Sequence, residues 1–113
     1  MKAYKVVRLS GRKKLSAIIR NNWNSAKCVS YYLNKKTVLP DTNKPLFCFK
    51  TIEYAKGFMM DRNNRNWLDS NESLVVYECE IKAHVGHVHS SVSFAPQTVT
   101  MILADEITLK KLV

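Results

Sequence analysis

The segment from Leu74 to Lys82 alternates between apolar and charged side chains, and this pattern constrains the fold more than any other feature of the chain. One set of alternate positions is apolar: Val75, Tyr77, Cys79 and Ile81. Glu78 and Glu80 occupy the opposite set. A period of two is typical of a strand with one buried and one solvated face. We therefore expect a strand here, with both glutamates on its wet face.

Other segments are also strand-like, being rich in β-branched and aromatic residues or alternating with the same period. They are Ala3–Leu9, Lys27–Leu33, Leu46–Phe49, Thr98–Leu103 and Ile107–Val113. Leu46–Phe49 is apolar on both faces, as in a buried central strand. A turn is predicted at Ala104–Glu106, between the last two segments, whereas Leu15–Ile19 is either a short strand or the start of a helix.

One segment has helical periodicity. Thr51 is its candidate N-cap, and Glu53 places a carboxylate in the positive first turn. An apolar stripe follows at helical spacing: Ile52, Ala55, Phe58 and Met59. Several strands around one helix predict an α+β fold, a small antiparallel or mixed sheet packed against one main helix.

The length of 113 residues suits one domain, 1–113, with no internal repeat or linker. Its apolar runs are far shorter than the roughly 20 residues of a membrane helix, so no membrane partner is predicted. The cysteines, Cys28, Cys48 and Cys79, are odd in number and widely spaced, which predicts core thiols and not a disulfide framework. An intracellular, cytoplasmic location fits this pattern.

The charge is distributed unevenly along the chain. Ten basic residues precede the first acid, Asp41: Lys2, Lys5, Arg8, Arg12, Lys13, Lys14, Arg20, Lys27, Lys35 and Lys36. The rest of the chain is nearly balanced, so the net charge of +9 arises in the first forty residues. Such asymmetry predicts a positive surface that attracts polyanions or acidic proteins, or a solvated basic face that only confers solubility.

Some of these bases are suited to contacting phosphates: Arg12, Lys13, Lys14, Arg20, Lys35 and Lys36. Trp23, Tyr31 or Tyr32 would stack on bases, although all three side chains also suit packing. No recognition helix or aromatic RNA-binding motif accompanies them. They form one patch only if the early strands pair with one another.

The order of several segments resembles a family of small uncharacterised proteins of bacteria, archaea and their phages. The segments that carry it are Lys2–Arg8, Ser16–Ala17, Val29–Tyr32, Pro45–Phe58 and Val76–Ile81. The resemblance covers roughly residues 1–82. It implies an α+β accessory protein of a phage or mobile element, acting in the host cytoplasm on host or viral macromolecules. It supplies no catalytic residue.

An enzymatic alternative comes from Glu78 and Glu80, which resemble the Glu-x-Glu pair of some ADP-ribosyltransferases. In those enzymes an arginine on the first strand anchors the dinucleotide, a middle-strand serine assists, and the final glutamate stabilises the ribosyl cation. Arg8, with Ser16 or Ser30, and Glu80 would take these roles. However, alternating glutamates are common on wet faces of strands, and the chain is short for that fold.

Three histidines, His84, His87 and His89, lie within six residues, and imidazole is a common metal ligand. In an extended segment only His87 and His89 would share a face, so a polar loop or edge strand is the preferred interpretation. No Gly-rich phosphate loop is present, and no cofactor is predicted.

The sequence thus favours a non-enzymatic basic binding module. Its expected partners are nucleic acid, a nucleoprotein or an acidic host protein, and a nucleotide-acting enzyme is the alternative.

Overall fold

The computed structural model describes residues 1–16, 30–38, 46–63, 71–84 and 101–113. Strands make up most of these residues. In chain order the described elements are β1 (Lys2–Ser10), β2 (Lys13–Ser16), β3 (Ser30–Tyr31), β4 (Lys36–Val38), β5 (Leu46–Phe49), α1 (Ile52–Asn63), β6 (Glu72–Ala83) and β7 (Met101–Leu112).

Four strands pair edge to edge around a closed ring. β1 pairs with β6 along its whole length, β6 pairs with β7, and β7 pairs with β5. Tyr4 of β1 lies opposite Phe49 of β5, which completes the ring. All of these pairings are antiparallel.

The short strands extend the ring at its edges. β2 pairs with β1 after a two-residue turn of Gly11 and Arg12. Gly11 is the first of these two turn residues and has a φ of 59°, as a type II′ hairpin turn requires. β3 pairs with β2, and β4 pairs with β7 beside β5. The undecided segment from Leu15 therefore begins as a strand, whereas residues 17–29 lie outside the described ranges.

The predicted architecture, a sheet packed against one main helix, is wrong. The described part of the chain is mostly β, and four of its strands close on themselves. A strand that alternates with a period of two has the same pattern in an open sheet and in a closed ring. The pattern therefore could not indicate that β5 returns to β1.

The ring encloses one hydrophobic cluster and carries a second on its outer face. The interior cluster consists of Ala3, Val7, Tyr31, Leu46, Cys48, Tyr77, Cys79, Ile81, Ile102, Ala104, Ile107 and Leu109. The outer cluster, which contacts α1, consists of Val6, Phe47, Phe49, Ala55, Leu74 and Val76. β1 and β5 contribute to both clusters, which is why each is buried on both faces.

The helix begins as predicted. The Oγ1 atom of Thr51 accepts a hydrogen bond from the backbone N–H of Tyr54 at 3.3 Å, which satisfies a donor of the first turn. Ala55, Phe58 and Met59 pack on the outer cluster, and the rings of Phe58 and Phe49 are 5.3 Å apart. The apolar stripe thus covers the ring and does not face a principal core.

The predicted turn at Ala104–Glu106 is also wrong, because β7 runs through it without a break. Ala104 pairs with Leu46 on one edge and Ala83 on the other. Glu106 pairs in the same way with Val38 and Lys82. Pairing on both edges outweighs the local preference of the acidic residues for a turn. No helix in the described part of the chain is long and apolar enough to cross a membrane.

Candidate functional site

The turn between β1 and β2 presents three basic residues. Arg12 and Lys13 are exposed and Lys14 is half-buried. None of the three forms an ion pair with another described residue. The turn therefore carries positive charge that the described part of the fold leaves available.

A second basic turn connects β3 to β4. The N–H of Lys35 donates to the carbonyl of Tyr32 at 3.1 Å, and Asn34 has a φ of 62°. The N–H of Asn34 donates to the carbonyl of Leu109 at 2.9 Å, which fixes the turn on β7. Lys35 and Lys36 are exposed, and the Nζ atom of Lys36 lies 3.4 Å from Glu106, which partly neutralises it.

β3 brings the two turns together. Tyr31 pairs with Lys14, and Tyr32 follows at once as the first residue of the second turn. The Cα atoms of the paired residues Lys14 and Tyr31 are about 5.5 Å apart, and those of Tyr31 and its neighbour Tyr32 are about 3.8 Å apart. The two ends of the turn, Tyr32 and Lys35, are less than about 7 Å apart. The Cα atoms of Lys14 and Lys35 therefore lie within about 16 Å of each other. We call the joined surface the basic rim: Arg12, Lys13, Lys14, Tyr32, Lys35 and Lys36.

The two neighbouring tyrosines have opposite environments. Tyr31 is 2% exposed and belongs to the interior cluster, so it is not available for stacking. Tyr32 is 63% exposed and lies within the basic rim, followed by Leu33 at 46%. An exposed aromatic ring among cations can stack on a base while the cations contact phosphates.

Two of the predicted binding residues, Arg20 and Trp23, lie outside the described residues. The same is true of His87 and His89. The remaining histidine of that run, His84, lies with its Nδ1 atom 2.6 Å from Asp105. Within the described ranges no group of three His, Cys, Asp or Glu side chains could hold a metal ion.

The residues of the enzymatic alternative are not assembled. Arg8 is buried and forms an ion pair with Glu72 inside the fold. Glu80 lies opposite Lys2, six residues along β1 from Arg8, which is about 20 Å at 3.3 Å per residue. Glu78 lies 3.3 Å from Lys2.

The other candidate members do not complete that site. Glu80 lies 2.5 Å from the amino group of Met1, and this charge and hydrogen bond lower the pKa of Glu80. Ser30 is exposed and pairs with Leu15, and Ser16 pairs with Val7.

A polar group inside the ring was not predicted from the sequence. Lys5 is 1% exposed, although its charge suggested a surface position. It shares the interior with Cys48 and Cys79, and its Nζ atom donates to the carbonyl of Phe47 at 2.7 Å. One signal was available, since Lys5 occupies the same alternate positions of β1 as Ala3 and Val7.

Comparison of the chain with protein-family models, curated proteins and solved structures finds no match. The resemblance to small prokaryotic and phage proteins therefore stays a prediction. The closed antiparallel ring defines a fold class without an associated activity, so function has to be argued from the site.

Proposed function

We propose that the protein is a non-enzymatic module that binds single-stranded nucleic acid through its basic rim. The observation that carries the proposal is the 63% exposure of Tyr32 within a cluster of cations. A buried tyrosine at this position would leave only a basic surface, which suits any polyanion. An accessible ring can stack on a nucleic-acid base, and few other anionic ligands offer it such a partner.

The charge of the basic rim supplies affinity. Arg12, Lys13, Lys14 and Lys35 have no ion-pair partner among the described residues, so no described carboxylate competes with phosphates for them. Each phosphate that they neutralise releases condensed counterions, which favours binding independently of base sequence. We therefore expect affinity with little sequence preference.

The stacking contribution favours single strands. In a duplex the bases are already stacked, and a lone surface tyrosine cannot reach their faces without unpairing them. In a single strand the faces are accessible, and each base–aromatic stack contributes about 1–3 kcal/mol. The basic rim should therefore bind single-stranded DNA or RNA more tightly than a duplex of the same length.

The proposal is tested by fluorescence anisotropy with labelled single-stranded oligonucleotides. The charge-reversal variant Arg12→Glu/Lys13→Glu/Lys14→Glu should abolish measurable binding. The control Lys50→Glu/Lys56→Glu/Lys82→Glu changes the net charge equally, using exposed lysines outside the rim. If both variants weaken binding alike, the basic rim is not the site and only the overall charge matters.

A second pair of variants tests the role of the aromatic ring. Tyr32→Ala should weaken single-strand binding by roughly five- to a hundredfold and change duplex binding little. Tyr54→Ala is the matched control, since Tyr54 lies on α1 and is 53% exposed. Equal binding by Tyr32→Ala and wild type would contradict base stacking. Binding of acidic proteins but not oligonucleotides would show that the partner is a protein.

A further inference from the structure

Two consecutive lysines near the end of β7, Lys110 and Lys111, are both exposed. In a regular strand neighbouring side chains point to opposite faces, so one of the two would face the interior. Here Leu109 and Lys111 pair with consecutive residues of β6, and Lys110 is the extra residue between them. The resulting β-bulge allows both side chains to face solvent. We call Lys110 and Lys111 the β7 lysines.

The charges of the β7 lysines are only weakly compensated. Neither of them forms an ion pair with a described carboxylate. The amino group of Met1, 2.5 Å from Glu80, lowers the pKa of that carboxyl more than Lys110 does. Glu78 lies 3.3 Å from the Nζ atom of Lys2. Both carboxylates of β6 therefore have a closer cation, and the β7 lysines are able to contact an anionic ligand.

The acidic residues of β7 itself lie farther from this end of the strand. Asp105 lies 2.6 Å from His84, and Glu106 lies 3.4 Å from Lys36, so both carboxylates have a partner. Glu106 comes four residues before Lys110, which is about 13 Å along the strand at about 3.3 Å per residue. The end of β7 thus forms a positive surface of its own.

The β7 lysines lie at the same end of the ring as the basic rim. β1 and β7 both run antiparallel to β6, and β1 and β3 both run antiparallel to β2. The C-terminal ends of β1, β3 and β7 therefore all lie at one end of the fold. The first two lead into the basic turns, and the third carries the β7 lysines.

The second basic turn joins the two positive surfaces. The N–H of Asn34 donates to the carbonyl of Leu109 at 2.9 Å, next to the β7 lysines. Standard backbone dimensions then place the Cα atoms of Lys35 and Lys110 within about 15 Å of each other. Because Lys35 is also within about 16 Å of Lys14, these cations form a track of at most about 30 Å.

We propose that the single strand bound by the basic rim continues onto β7, where Lys110 and Lys111 contact its phosphates. This inference rests on the proposed function and specifies the ligand as an oligonucleotide. A stacked strand advances about 3.4 Å per nucleotide, so a track of about 30 Å covers up to about nine nucleotides. Single-strand binding domains cover about 4–16 nucleotides. A mononucleotide or dinucleotide reaches only one part of the track and should bind weakly.

The test is fluorescence anisotropy with labelled oligothymidylates of about four and about twelve nucleotides. Lys110→Gln/Lys111→Gln should weaken binding of the longer strand on the order of tenfold at about 0.1 M salt. The slope of log K against log salt concentration should become shallower by about 1.4, because two phosphate contacts are lost. Binding of the shorter strand, which is held at Tyr32 and does not span the track, should change much less.

Two further variants serve as controls. Lys50→Gln/Lys56→Gln removes two exposed lysines outside both positive surfaces and should bind the longer strand nearly as wild type does. Lys110→Arg/Lys111→Arg keeps both charges and should also bind it normally. The replaced side chains are all exposed, so none of these variants removes a buried contact.

The outcomes separate this inference from the proposed function. If Lys110→Gln/Lys111→Gln and Lys50→Gln/Lys56→Gln bind the longer strand equally well, the strand does not continue onto β7. Binding at the basic rim would then still stand, provided that charge reversal of the β1–β2 turn abolishes it. A wild-type protein that binds neither strand would overturn both proposals.

Discussion

Two basic residues of β1 are buried with different partners. Arg8 is paired with the carboxylate of Glu72, and their side chains are 7% and 3% exposed. Lys5 has the carbonyl and ring of Phe47 and the two thiols of the interior. The strand thus provides an internal comparison between a buried cation that pairs with a carboxylate and one that pairs with none of the described carboxylates.

The Arg8–Glu72 pair gives the first stability prediction. Arg8→Met breaks a buried ion pair on one side, which typically costs about 3–5 kcal/mol. The double variant Arg8→Met/Glu72→Leu removes both charges and should recover most of that loss. The free energies of unfolding in urea check both values. A double variant no more stable than Arg8→Met would show that the pair is not what Arg8 contributes.

Lys5 gives a prediction on pH. Burial lowers the pKa of Lys5 in the folded protein, whereas in the unfolded chain Lys5 keeps its proton up to its ordinary pKa of about 10.4. Between the folded and the unfolded pKa the unfolded state binds more protons, so wild-type stability rises with pH by up to about 1.4 kcal/mol per unit. Lys5→Met lacks this contribution.

The measurement is urea denaturation of both chains between pH 6 and pH 10. The stability of Lys5→Met relative to wild type should be greatest at the low end of this range and should decline as the pH rises towards the ordinary pKa of lysine. The other titratable members of the interior occur in both chains, so the comparison isolates Lys5; they are Tyr31, Cys48, Tyr77 and Cys79. Parallel stability curves would contradict a lowered pKa of Lys5 in the folded protein.

At the scale of single elements, the beginning of α1 depends on one side chain. Thr51 accepts the N–H of Tyr54, and no apolar residue could replace this bond. Thr51→Ala should therefore lower the free energy of unfolding by about 1 kcal/mol, and Thr51→Asp should retain stability. Denaturation of the two variants beside wild type tests this, and equal losses in both would show that the cap does not stabilise the helix.

Elements with strong local signals could be predicted from the sequence. The cap at Thr51 and the strand that alternates from Val75 to Ile81 both depend on neighbours within a few residues, and the structure confirms them. The face with Glu78 and Glu80 is not solvated along its whole length, however, because Leu74 and Val76 on that face are buried in the outer cluster. The break predicted at Ala104–Glu106 was wrong because long-range contacts stabilise β7. Asp105 lies 2.6 Å from His84, and Glu106 lies 3.4 Å from Lys36, so acids that suggested a turn are held within a strand.

At the scale of the whole molecule, closure of the ring was not predictable. The pair that completes it, Tyr4 with Phe49, joins residues far apart in the chain, and neither residue differs from those of an open sheet. The burial of Lys5 follows from the same closure, since the inward face of β1 lies inside the ring. Sequence alternation indicated which residues share a face but not what that face encloses.

The basic rim is likewise a product of the whole fold. Its bases were identifiable from the sequence, but their proximity depends on β3, which pairs with β2 and leads directly into the turn beside β7. The sequence also could not separate Tyr31 from Tyr32, since both suited packing or stacking. Only the closed ring assigns Tyr31 to the interior and leaves Tyr32 at the surface.

The salt dependence of single-strand binding tests the central claim most directly. The four rim cations that pair with no described carboxylate should neutralise about four phosphates, which gives a slope of about −3 for log K against log salt concentration. Removal of one cation, Arg12→Ala, should make the slope shallower by about 0.7, whereas Lys56→Ala should not change it. A slope near zero, or one that Arg12→Ala leaves unchanged, would contradict binding of nucleic acid at the basic rim.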